Sequence, residues 1–226
     1  MKRPKERVMF YIDGFNLYYG ALRGQPYRWL DLEALCGRYI KPGYELVGVR
    51  YFTAKLKDRP DNPGQGERQR QYLRALKTRP KVSIYYGQFL VRTAVRQLEK
   101  LPKQHRKGDI GLRSVWIYEE KGSDVNLATH LIADGFRARY DLAVVISNDS
   151  DLKMPVEFVR SAFNPVGIIN PHSDRRRSFA LSPHDIPEGS FYYRLKPAKL
   201  RSSQLPLELH DEEGAILCPE GWSNAP

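Results

Sequence analysis

The sequence is poor in cysteine. Only Cys36 and Cys218 occur in 226 residues, far apart and without metal-ligand spacing. That argues against a disulfide framework and a thiolate metal site, and reduced thiols in a cytoplasm are expected. Long hydrophobic runs are also missing. The apolar run that follows the charged residues 1–7 ends at Ile12, too short for a secretory signal or a membrane span. The expectation is a soluble, cytoplasmic protein with no membrane partner. There are no internal repeats and no low-complexity tracts. The length suits one α/β domain with an appendage, and it can bury a sizeable core without staples.

Positive charge is plentiful and localised. The net charge is +11; residues 50–121 hold 18 Lys and Arg against 7 Asp and Glu, while the rest of the chain balances at 19 of each. One segment therefore carries the whole excess, and an anionic polymer is its natural partner. A solvated arginine-rich face is the plainer alternative. The segment also holds Tyr51, Phe52, Tyr72, Tyr85, Tyr86, Phe89 and Trp116. Arginine with aromatics suits single-stranded RNA, through phosphate contacts and base stacking, although several of these rings are needed in the core.

The pattern along the chain predicts alternating strands and helices. Strands are expected at residues 8–12, 46–52, 82–86, 142–146 and 166–169, with a further candidate at 115–118. Helices are expected at 31–40, 69–77, 123–138 and 151–162, with a helical turn at 15–21. Residues 58–66 read as a loop, and 90–111 give no clear element. This alternation implies a three-layer α/β fold with a mostly parallel central sheet flanked by helices on both faces. Residues 1–173 form the expected domain. Residues 174–226, with scattered prolines, read as a C-terminal extension packing on it, either covering the sheet edge or mediating self-association as a homo-oligomer.

Ligands of open parallel sheets bind outside the carboxyl ends of the strands. Asp13 directly follows the first strand, and Asp149 and Asp151 directly follow the strand at 142–146. Each alone is ordinary turn chemistry; together they deliver three carboxylates to one edge. Asp124 opens the helix at 123–138, mid-arc on the apolar face defined by Leu127 and Leu131. A carboxylate aimed at a core needs a cation or hydrogen-bond partners, unless it caps the helix. Four converging carboxylates repel one another, and Mg²⁺ or Mn²⁺ would balance them, with roughly 4 to 8 Å between groups. Asn16, one turn past Asp13, either supports this site or caps locally. Lys121 either contacts phosphate or is an ordinary exposed lysine. Asn126, His130 and Asp134 recur every fourth residue and are expected on a more exposed or interfacial stripe. Ser147 and Ser150 lie among the acids, but no nearby histidine suggests a Ser-His pair.

Three blocks, Tyr11-Ile-Asp-Gly-Phe-Asn-Leu17, Lys121-Gly-Ser-Asp-Val-Asn-Leu127 and Val145-Ile-Ser-Asn-Asp-Ser-Asp-Leu152, resemble the signatures of NYN domains in the PIN-like nuclease superfamily, of the LabA-like group. The resemblance covers roughly residues 7–171. It implies a Rossmann-like PIN fold, Mg²⁺ or Mn²⁺, and ribonuclease activity, with Asp13, Asp124, Asp149 and Asp151 as the acidic site and Asn16 beside it. The chain departs from the family pattern at Asn148, where glycine is common, and at His130, where a further acid often stands. The resulting expectation is a metal-dependent ribonuclease. Asp13 and Asp149 would be its principal ligands, and Asp124 and Asp151 would complete the site or orient water. A non-catalytic RNA-binding or regulatory module is the alternative. A small-phosphoester hydrolase fits less well, because it needs no long cationic track.

Overall fold

The computed structural model describes residues 4–100, 103–104, 106, 108–172, 181 and 189–223. The expected extension is therefore described only at 181 and 189–223. The elements in chain order are β1 (Glu6–Asp13), α1 (Gly14–Leu17), a π-helical turn (Tyr18–Leu22), α2 (Leu32–Gly37), β2 (Tyr44–Thr53), α3 (Gln65–Lys77) and β3 (Val82–Tyr86). There follow β4 (Gln88–Gln97), β5 (Leu112–Lys121), α4 (Ser123–Phe136), β6 (Leu142–Ile146), α5 (Lys153–Ala162) and β7 (Val166–Asn170). The tail adds β8 (Phe191–Arg194), α6 (Pro197–Arg201), β9 (Glu208–Asp211) and β10 (Gly214–Leu217).

Six strands make a wholly parallel sheet in the order β3-β2-β1-β6-β7-β8. The chain runs outward from β1 to β3, then returns beside β1 and runs outward the other way. The order thus reverses between β1 and β6, and their carboxyl ends border the crevice where such sheets bind ligands. The sequence explains why both central strands are unbroken apolar runs. In β1, Val8, Phe10 and Ile12 pack into one core with α2, α3 and α6, while Met9 and Tyr11 pack into the other with α4 and α5. In β6, Leu142, Val144 and Ile146 take the first side, and Ala143 and Val145 the second. A strand covered on both faces needs apolar residues at every position.

Two readings of the sequence are corrected. The first part of the stretch that showed no clear element, residues 90–97, belongs to one arm of an antiparallel hairpin: β4 and β5 pair along ten residues each, apart from the main sheet. The candidate strand at 115–118 is the middle of the other arm. Most of the hairpin's side chains are exposed, so its apolar alternation is interrupted by Arg92, Arg96 and Arg113.

The polar stripe on α4 also divides. His130 is half-buried against the Tyr85 ring, at 4.0 Å between centroids, and the Asn126 amide donates to the Tyr86 carbonyl. Asp134, by contrast, is fully buried. It lies seven residues past Leu127 and three past Leu131, so it shares their inward face. Its partner is Arg50, which alternates along β2 with Val49 and Tyr51 and so points toward α4. The ion pair is 2.5 Å from Nε to Oδ2, a second bond runs from Nη2 to Oδ1 at 2.9 Å, and the Tyr11 hydroxyl donates to Oδ2 at 2.8 Å. Arg50 is thus a core residue and does not belong to the cationic surface.

The tail is stitched to the rest of the chain. β8 extends the sheet, and Leu200, Leu205 and Ile216 join the first core. Arg74 of α3 pairs with Asp211 at 2.5 Å, which ties the β9–β10 hairpin to that helix. Among the described residues no helix is long and apolar enough to cross a membrane.

Candidate metal centre

Asp13 ends β1 and caps α1: its Oδ1 accepts from the Asn16 amide at 2.9 Å. Its Oδ2 accepts from the Ser147 hydroxyl at 3.0 Å. Residue 14 packs too closely against β2 to carry a side chain. A Cβ at that position would stand 2.7 Å from both the Phe52 carbonyl oxygen and the Tyr51 hydroxyl. Asp149 leaves β6 through Ser147-Asn148. Its own amide donates to Ser147 Oγ at 3.1 Å, and its Oδ1 accepts from the Asp151 amide at 3.0 Å. Asn16 joins the two strand ends, since its Oδ1 accepts from the Asn148 amide at 3.0 Å. Asp124 arrives from a third direction, in the first turn of α4. That helix starts at Gly122 in the left-handed region, φ 91°, a residue with no side chain to cap it.

Asp13, Asp124 and Asp149 each offer a carboxylate oxygen within 4.8 Å of the others. Asp151 lies outside this group, exposed at the start of the following helical turn, with its amide tied to Asp149. Lys121 is exposed and lies 3.8 Å from Glu119.

The carboxylates in this depression repel one another. Burial pushes the Asp13 carboxyl up to about 6, against the bonds from Asn16 and Ser147 and with Asp149 and Glu120 adding to the rise. Asp124 is pushed up to about 7, by burial first and then by Asp13, Asp149, Glu120 and Asp151. An oxygen-only donor set of this kind fits a hard divalent cation, which would remove the repulsion that raises both groups.

The depression, about 350 Å³, has neighbours that sequence reasoning missed: Tyr19, Glu120 and His172. Glu120 had a signal. It stands on β5 just before the second block, and side chains alternate along a strand. Glu119 pairs with Arg92 at 3.1 Å, while Glu120 turns the other way and caps α4 by accepting from the Ser123 amide at 3.0 Å. The depression thus gains a fourth carboxylate from the strand that precedes α4. His172 follows β7, at the same carboxyl edge as Asp13 and Asp149.

The NYN domain family model matches residues 7–175, most of the chain and all of the carboxylate centre. The chain belongs to the NYN domain family. NYN domains are part of the PIN-like nuclease superfamily, and the α/β architecture agrees. A relative, 6-hydroxy-3-succinoylpyridine 3-monooxygenase HspA of Pseudomonas putida, is 29% identical over 247 aligned positions, spanning 97% of this chain and 76% of that one. A crystal structure of a protein of unknown function from Vibrio parahaemolyticus superposes with a TM-score of 0.50 at 16% identity, covering 87% of this NYN chain and 96% of the other. That likeness speaks to the fold alone.

Proposed function

We propose that this NYN protein hydrolyses RNA phosphodiesters at Asp13, Asp124 and Asp149 with a bound Mg²⁺ or Mn²⁺. The observation that carries this reading is the convergence of three carboxylates, from β1, α4 and the end of β6, within 4.8 Å at the sheet's switch point. Asp13 and Asp149 are the principal ligands, because they stand at the carboxyl ends of the two central strands, where the Ser147 hydroxyl ties the Asp13 carboxylate to the Asp149 backbone amide. Asp124 completes the site, and the cation relieves the repulsion from Asp13 and Asp149 that adds to its burial in raising its carboxyl. Asp151 and Glu120 lie one shell out, where they orient water. When bound, the cation supplies a Lewis acid and a water acidic enough to act as nucleophile.

The cationic hairpin supports RNA as the substrate. Arg96, Lys100, Lys103 and Arg106 are exposed on or next to β4, and Trp116 is 64% exposed on β5. β5 runs directly into α4, so a strand gripped by the hairpin is led toward Asp124.

A second reading rests on the Pseudomonas putida relative, whose name is that of a monooxygenase acting on a succinoylpyridine. One experiment separates the two. Labelled single-stranded RNA is incubated with the purified protein in Mg²⁺, Mn²⁺ or EDTA, beside an oxygen-uptake assay with 6-hydroxy-3-succinoylpyridine and a two-electron reductant. Cleavage that EDTA abolishes supports the nuclease. Oxygen uptake without RNA cleavage overturns it.

A further inference from the structure

A second cavity, about 340 Å³, adjoins the carboxylate depression and shares Phe15 and Tyr19 with it. Its volume lies in the range of small-ligand sites. Its walls are aromatic and come from four parts of the chain: Tyr18 from the π-helical turn, Tyr72 from α3, Phe89 and Tyr118 from the base of the hairpin, and Trp222 from the tail. Rings from such separate segments assemble one lined space.

The same walls carry four arginines, Arg23, Arg28, Arg59 and Arg68, against one carboxylate, Asp61. Asp61 pairs with Arg59 at 3.1 Å. Arg28 donates to the Gly221 carbonyl at 2.8 Å, and Arg68 to the Pro63 carbonyl at 3.0 Å and the Asn62 side chain at 2.5 Å. These neutral acceptors orient the guanidinium groups; Asp58, outside the lining, offsets part of the charge on Arg68. Three of the arginines lie over wall rings: Arg23 over Tyr19 at 5.6 Å, Arg28 over Trp222 at 5.2 Å and Arg59 over Tyr118 at 4.7 Å. Aromatic faces select a flat ring, and the surplus positive charge selects an anion.

We propose that this cavity seats a planar heteroaromatic ring bearing an anionic group and holds it beside the carboxylate centre. That chemistry belongs to a nucleotide of an RNA chain or to a free heteroaromatic acid. The inference goes beyond the nuclease reading and does not require it.

The test is calorimetric titration of the full chain in EDTA, so that no cation contributes. The probes are uridine 5′-monophosphate, adenosine 5′-monophosphate and pyridine-3-carboxylate. Ribose 5-phosphate, an anion without a ring, and pyridine-3-carboxamide, a ring without an anion, are controls. At least one ring-bearing anion binds saturably, ten-fold or more tighter than both controls. Arg23→Gln, an exposed position, weakens it three- to ten-fold without lowering the melting temperature, and Tyr118→Leu weakens it about ten-fold. Asp149→Asn leaves it unchanged. Preference for the nucleotides assigns the site to RNA, and preference for the pyridine acid assigns it to a small molecule. Absence of saturable binding by all three, equal binding of the controls, or unchanged affinity in both Arg23→Gln and Tyr118→Leu overturns the proposal. RNA cleavage by the carboxylate centre is then a separate question, because the titration contains no metal.

Discussion

Ser147 donates its hydroxyl to Asp13 at 3.0 Å while accepting the Asp149 amide at 3.1 Å. One buried serine thus couples the ends of the two central strands. Its hydrogen bond favours the charged form of Asp13, which burial opposes. Ser147→Ala should therefore raise the Asp13 carboxyl further, weaken Mn²⁺ binding at pH 7 several-fold, and cost about 1–2 kcal/mol by leaving the Asp149 amide without its acceptor. Calorimetry with Mn²⁺ and urea denaturation measure the two effects. Ser147→Thr, which keeps the hydroxyl, should recover much of the metal affinity.

The carboxylate centre makes stability depend on pH in a definite direction. Asp13 and Asp124 have folded-state values of about 6 and about 7, above the ordinary 3.8. Raised carboxyls favour the protonated form, so their contribution is full below about pH 4 and is lost as pH rises through those values. In EDTA the melting temperature should fall between about pH 4 and pH 7 and level off above that, by about 3 °C for each ~1 kcal/mol. Saturating Mg²⁺ or Mn²⁺ should reverse the fall, because a cation that binds the folded form adds stability. Asp13→Asn should flatten the metal-free profile. Scanning calorimetry across pH reads all three.

The Arg50–Asp134 pair is structural. Arg50→Met leaves Asp134 buried with Tyr11 and a longer contact to Arg139 at 3.5 Å, and should cost about 3–5 kcal/mol. The double variant Arg50→Met/Asp134→Leu should regain most of that loss. Urea denaturation of the single and double variants decides it.

The hairpin should govern RNA affinity and leave the chemical step alone. Replacing Arg96, Lys100 and Lys103 with glutamine removes three exposed charges. Counterion release at single strands scales at roughly 0.7 per phosphate contact, so the slope of log affinity against log salt should drop by about 2. Cleavage at saturating RNA should stay within about two-fold. Filter binding at several salt concentrations tests the slope.

The parts that were legible in the sequence share one physical cause. β1 and β6 are central, covered on both faces, and so appear as unbroken apolar runs, and residues directly after them must lie at the switch point. Asp13 and Asp149 are placed by that logic, and Asp124 by the period of Leu127 and Leu131. The hairpin was illegible because its side chains face solvent and carry arginine at positions that a buried strand would fill with apolar groups. Asp134 is buried because its three-residue spacing from Leu131 decides its face, although its four-residue spacing from His130 places it on the polar stripe. The aromatic cavity left no local pattern. Its walls come from residues as far apart as Tyr18 and Trp222, and only the folded tail brings them together.

The most direct test of the central claim is the rate at which Asp13→Asn cleaves single-stranded RNA in Mn²⁺, compared with wild type at pH 8, where both raised carboxyls are ionised. A folded variant slowed by about 100-fold or more is the predicted result. A folded Asp13→Asn protein that cleaves as fast as wild type would contradict it.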